Sequence, residues 1–161
     1  MSRYTTLRMM DAGMYTFKPF VFTKPEVKGI EQPKARSGHR IACDHRNLYS
    51  YGGFNPCVSD TDPDMRDDQM WSASKPLFKE LWRFNFVSKR WSRLPGQENM
   101  PNELASNAVI LCGNTLMVYG GTGVPFGESC SNQLYVCNVD DGAINAVPAI
   151  GELPEPQYGQ V

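Results

Sequence analysis

Apolar and polar residues alternate with a period of two over short stretches of this chain, and two of those stretches repeat one another. Residues 37–53 lie over residues 105–121, and both close on the same pattern, Leu-x-x-Tyr-Gly-Gly (Leu48, Tyr51, Gly52, Gly53 and Leu116, Tyr119, Gly120, Gly121). Each stretch holds a short apolar run, then a polar turn (His45, Arg46 and Asn47, or Gly113 and Asn114), then a second apolar run. That order predicts a β-hairpin. Within it, Leu48 and Ser50 alternate with Tyr49 and Tyr51, the period a half-buried strand requires.

A second matching pair follows each double glycine. Residues 80–91 lie over residues 133–144, with branched and aromatic side chains alternating with polar ones before a turn at residues 87–89 or 140–142. Each unit therefore reads as four antiparallel strands. Leu81 and Leu134 are 53 residues apart, as are Trp91 and Ile144, whereas the double glycines are 68 apart. The excess of 15 residues falls between Gly53 and Glu80, so the first unit carries an insertion after its second strand. Counting 53 on from Asn107 reaches Gln160, and residues 157–160 resemble the start of a third unit. The expected division is an N-terminal extension (1–34), a first unit (35–100), a second (101–154) and the beginning of a third (155–161). Tyr15, Phe17, Phe20 and Phe22 crowd the extension, and an ordered strand is expected within residues 15–24.

A four-stranded repeat near 50 residues with a double glycine resembles the kelch β-propeller family. The runs at residues 35–39, 76–82, 103–106 and 119–129 extend that resemblance beyond the generic repeat, and it covers residues 35–161. One departure stands out. Ile144 occupies the position of the tryptophan that Trp91 supplies, so looser packing is expected there. The implied fold is all-β, two four-stranded blades and the start of a third. Large side chains (Tyr51, Trp82, Phe84, Trp91, Tyr135) fill the spaces beside the blades. Gly52, Gly53, Gly120 and Gly121 let the backbone turn where a side chain would collide. Two blades leave apolar faces open, which leads to the expectation of a truncated fragment, or of assembly with other copies or another chain.

Composition narrows the function. Charge is nearly balanced, 16 Lys and Arg against 17 Asp and Glu, which argues against electrostatic nucleic-acid binding. No run approaches the ~18 apolar residues of a membrane helix. The five cysteines are odd in number and include no C-x-x-C pair, so reduced thiols in the cytoplasm or nucleus are expected.

No sequence motif supports catalysis. Asp60, Asp62 and Asp64 have calcium-loop spacing, but Met65 and Trp71 stand where that loop needs glycine and glutamate. A mobile acidic insertion is the expectation. His39 and His45 lack a converging set of metal ligands, and His39 is expected to make a structural hydrogen bond. The two-His, two-Tyr and crosslinked-Cys set of kelch copper oxidases is missing. Neither a metal nor another cofactor is expected.

The resemblance implies a protein-binding rim around the propeller channel. Arg36, Ser37, Ala105 and Tyr158 occupy equivalent rim positions, with Asn55 and Thr122 beside them. Arg36 is the candidate for holding a carboxylate. The resemblance further implies a substrate receptor of a cullin-2 RING ubiquitin ligase that selects client proteins by glycine-ended C-terminal tails. The elongin B/C–cullin-2 contact lies in a helical box after the propeller, so it is expected only of a longer form. The rival reading is a scaffold that regulates a signalling enzyme without ubiquitin transfer.

Overall fold

The computed structural model describes residues 24–160. Apart from Lys24, the strand expected within 15–24 lies outside the described residues. Strands β1 (Arg40–Cys43), β2 (Asn47–Tyr51), β3 (Leu81–Asn85) and β4 (Arg90–Arg93) form one sheet in that order. A second sheet follows the same order: β5 (Ala108–Cys112), β6 (Thr115–Tyr119), β7 (Leu134–Asn138) and β8 (Ile144–Val147). All neighbours are antiparallel, so each sheet is a meander without crossovers. The architecture is all-β, two blades, as the repeat predicted.

The repeat holds at the level of single hydrogen bonds. In the β3–β4 turn the Lys89 N–H donates to the Asn85 carbonyl at 2.8 Å, and in the β7–β8 turn Gly142 donates to Asn138 at 2.8 Å. Both Lys89 and Gly142 have left-handed backbones. The Asn85 and Asn138 side chains accept from the N–H two residues on, the short polar turn that stops a strand.

The pleat decides which residues meet between the blades. Tyr49, Tyr51 and Leu81 of the first sheet join one buried cluster with Leu116, Val118, Cys137 and Ile144 of the second. Each such side chain, fully buried, contributes about 1.5–3 kcal/mol. Trp82, Phe84 and Trp91 lie on the opposite face of the first sheet, where their rings touch one another. The looser packing expected at Ile144 is corrected: Ile144 is buried, whereas Trp91 is only half-buried. The inter-blade connection at Gly96 comes against Ile144, and the Pro95 carbonyl sits on Gly142, so the connection takes the space of a larger side chain.

The double glycines form the backbone joint. Gly53 N–H donates to Leu104 O at 2.8 Å, and Gly121 N–H donates to Gln157 O at 3.0 Å. Leu104 and Gln157 are 53 residues apart, so the same bond occurs at the same place in successive units. The preceding glycine leaves room for that carbonyl. A Cβ on Gly52 would fall inside the Leu104 oxygen, and one on Gly120 would lie 2.6 Å from the Gln157 oxygen. Gly52 and Gly120 also hold φ of +61° and +65°.

The acidic insertion is folded, which corrects the expectation of a mobile loop. It contains a short helix, α1 (Gln69–Ser74), capped by Asp68, whose side chain accepts from Trp71 N–H. Met65, Trp71 and Phe78 form their own buried cluster, with the two rings stacked at 4.9 Å. Most of the carboxylates are held by cations: Asp62 and Asp64 by Lys34 and Asp68 by Arg93 at 2.8 Å, both from outside the insertion, and Asp60 by Lys75 from within it. A run of aspartates reads as solvated until the tertiary fold supplies these partners.

Three substitutions test the joint and the insertion, one of them a control in the β5–β6 turn. Gly113→Ala tests left-handed backbone alone, because φ is +60° and its surroundings are open. It is expected to cost about 1–2 kcal/mol in urea unfolding. Gly52→Ala adds a collision with the next unit's backbone and is expected to cost more than about 3 kcal/mol. At Asp68, burial alone would raise the carboxyl, but the Arg93 and Trp71 hydrogen bonds overcome it and hold the group below the usual range. Its stabilisation is therefore present above about pH 4 and is lost as pH falls through the lowered value. Asp68→Ala is expected to cost at least about 1 kcal/mol at pH 7, and the difference from the native chain should shrink at pH 3.

Candidate functional site

The segments that lead into the first strand of each unit lie side by side. Ser106 N–H donates to Gly38 O at 2.7 Å, and Gly159 N–H donates to Ser106 O at 2.8 Å. Gly38, Ser106 and Gly159 are repeat-equivalent, and all three have left-handed φ, with Ser106 the only non-glycine among them. This row of hydrogen bonds links the approach segments of three successive units. The loops after the double glycines pair with it. Ser37 and Phe54 exchange both backbone hydrogen bonds, and so do Ala105 and Thr122.

The candidate rim residues divide sharply on this frame. Arg36 has only 3% of its side chain exposed. Its Nε donates to Lys34 O at 2.9 Å, its Nη1 to Gly52 O at 3.2 Å and its Nη2 to Glu80 at 2.5 Å. The guanidinium also lies 3.8 Å from the Phe78 ring centre. Burial lowers its pKa, and the Glu80 charge opposes that shift. Arg36 thus holds a carboxylate, as its chemistry suggested, but an internal one.

Glu80 is the hub of this charge group. It also accepts from Trp82 Nε1 at 2.7 Å and lies 3.7 Å from Arg93, which in turn binds Asp68. Two cations and two anions alternate, so the group is neutral and ties the approach segment to β3, β4 and the insertion. Asn55 donates to Ala35 O and accepts from Cys57 N–H, so its amide serves the loop. Ala105 and Thr122 are fully buried. The Thr122 hydroxyl accepts from Gly127 N–H at 3.0 Å and lies 3.0 Å from Ser129 O, which sets the turn after β6. Tyr135 is half-buried against the core.

Two of the six remain open to a partner: Ser37 is exposed, and Tyr158 is 46% exposed. The structure adds others that the sequence reading missed. Phe126 is 45% exposed and meets Phe54 edge-to-face at 4.7 Å, so the loops of the two blades touch through aromatic rings. Gly127 brings Phe126's loop against the Tyr158 ring. Val124 is also exposed. The signal was present, since Phe54, Val124 and Phe126 are large apolar residues just after the double glycines, outside the strand pattern. The result is an exposed aromatic patch on a hydrogen-bonded backbone.

The chemistry elsewhere is quiet. Among the described residues no three His, Cys, Asp or Glu side chains converge as a metal site. His39 is held below its ordinary pKa by burial and by the Arg36 and Arg40 charges. Burial pushes the Cys137 thiol up to about 12, far from thiolate chemistry at neutral pH.

Comparison with known proteins agrees with this architecture. Residues 5–161 match the KLHDC2/KLHL20/DRC7 Kelch-repeats domain. The chain is 43% identical over 138 residues to Kelch domain-containing protein 10 of Rattus norvegicus, covering 85% of this chain and 32% of that protein. The Homo sapiens protein of that name is 43% identical over 135 residues, covering 83% and 29%. The Drosophila melanogaster Kelch domain-containing protein 10 homolog is 39% identical over 163 residues, covering 91% and 25%. The chain thus spans about a third or less of the length of these relatives. Two equivalent four-stranded sheets, a double-glycine joint repeated at each boundary and these matches lead to one conclusion: the chain belongs to the kelch-repeat family.

Proposed function

We propose that the aromatic rim patch binds a short peptide segment of a client protein. Kelch-repeat domains are protein-interaction modules, and the rim is where this chain offers side chains that its own core does not use. The observation that carries the reading is the exposure of Phe126 and Tyr158 on a backbone fixed by the hydrogen bonds of Gly38, Ser106 and Gly159. Rigid aromatic side chains supply contact area at low entropic cost, which suits a peptide anchor.

In a longer form, the reading extends to a substrate receptor that passes clients to an elongin B/C–cullin-2 ubiquitin ligase in the cytoplasm or nucleus. Clients would be selected by glycine-ended C-terminal tails. The family resemblance supports this extension. The carboxylate of such a tail would be met by groups other than Arg36, because Arg36 is already bonded to Glu80. The rim described here would contact the residues preceding that carboxylate.

Fluorescence anisotropy against a library of glycine-ended peptides tests the binding step. Phe126→Ala and Tyr158→Ala are each expected to weaken binding about tenfold or more, near 1.4 kcal/mol, with unchanged circular dichroism. Binding indifferent to both substitutions would remove the rim from the proposal. Co-precipitation of a longer form with elongin B/C and cullin-2 tests the ligase step, and a client complex without them would favour the scaffold role.

A further inference from the structure

The charge of the chain changes sharply after Arg93. All 16 Lys and Arg residues and both His precede Leu94, whereas 7 of the 17 Asp and Glu residues follow it, so residues 94–161 hold no cationic side chain. Every ion pair among the described residues is made within residues 26–93. The carboxylates that follow Arg93 therefore have no ion-pair partner among the described residues. Six of the seven are exposed, and Glu103 is half-buried.

Two of those carboxylates belong to the loop that carries the aromatic patch or to its base. The loop after β6 closes on itself: Gly123 N–H donates to Ser129 O at 2.9 Å, and Gly127 N–H donates to the Thr122 hydroxyl at 3.0 Å. Val124, Phe126 and Glu128 are all exposed on this closed loop. Glu103 sits at its base and accepts from the Ser129 hydroxyl. Phe126 rests on Phe54, so the patch leans back over the preceding unit. Cations of the neighbouring loops are already engaged: Arg36 with Glu80, Lys34 with Asp62 and Asp64, Lys75 with Asp60, and Lys79 with the Met100 carbonyl at 3.3 Å. Asp140 and Asp141 lie in the β7–β8 turn at the other end of the sheet and take no part.

Resting on the peptide-binding reading above, we propose that the peptide segment lying over this patch is basic, with lysine or arginine side chains flanking an apolar anchor. The anchor packs beside Phe126, and the cations face Glu128 and Glu103. Long cationic side chains suit the patch twice over, because their stems cover apolar surface and their heads are attracted to ring faces. Acidic segments are disfavoured, since like charges juxtaposed across an interface cost affinity. The charges carry selectivity and association rate more than total affinity, because exposed carboxylates are screened by salt. The second unit offers no cation to a terminal carboxylate, so the end of a client tail is directed away from it.

Two fluorescent pools of glycine-ended decapeptides test this by anisotropy. Both are equally randomised, except that one fixes lysine and the other glutamate at two positions upstream of the last three residues. The lysine pool is expected to bind about fivefold or more tightly at about 50 mM salt, and the gap should close at about 1 M salt. Glu128→Lys is expected to abolish or reverse the preference, and because Glu128 is exposed, circular dichroism should not change. Equal binding of both pools, weakened by Phe126→Ala, overturns the charge inference and leaves the peptide-binding reading standing. A lysine preference that Glu128→Lys leaves unchanged does the same. Binding that Phe126→Ala does not weaken, or no binding of either pool, removes the patch as a peptide site and this inference with it.

Discussion

The contact between a double glycine and the carbonyl of the next unit sets the spacing of everything else. A backbone N–H from Gly53 or Gly121 meets a backbone oxygen from the following approach segment, with no side chain between them. Backbone contact allows the sheets to come close enough for Tyr51 and Leu81 to bury against Leu116 and Val118. It also aligns Gly38, Ser106 and Gly159 into a hydrogen-bonded row. A methyl group at Gly52 would strike backbone, which cannot rotate away as a side-chain tip can. The joint is therefore intolerant in a way that an ordinary packing contact is not.

The buried charge group performs a second task. Burying Arg36 and Glu80 carries a desolvation cost that their attraction only roughly offsets. What the arrangement secures is position. The guanidinium lies on Phe78, reaches the Gly52 carbonyl and meets Glu80, while Arg93 connects the same carboxylate to the Asp68 cap of α1. Approach segment, double glycine, β3, β4 and insertion are thus held by one set of directional bonds. Nonpolar substitutes could match the stability but would not specify these angles.

The rim shows the division between scaffold and surface. Residues at equivalent positions in successive units diverge once they point away from the joint: Ala105 is fully buried, whereas Tyr158, 53 residues later, is half exposed. Backbone roles repeat because the geometry repeats. Side-chain roles at the rim are free to vary, so binding chemistry can differ from blade to blade on one framework.

Strand order, the four-strand unit, the insertion site and the equivalence of the double glycines were legible in the sequence, because period-two patterning and fixed spacing are local properties of a chain. The destination of Arg36 was not. An arginine beside a loop reads the same whether it faces solvent or Glu80, which lies 44 residues away in sequence and becomes its partner only when β3 folds beside the approach segment. The aspartates of the insertion were misread for the same reason, since Lys34 and Arg93 reach them from outside the loop. Ile144 was misjudged because the filler of its space is the Gly96 connection, invisible to a strand-by-strand comparison. By itself the sequence determined what each segment could form. Tertiary structure alone decided which charges were neutralised, which apolar faces were covered and which side chains remained for a partner, because each depends on neighbours distant along the chain.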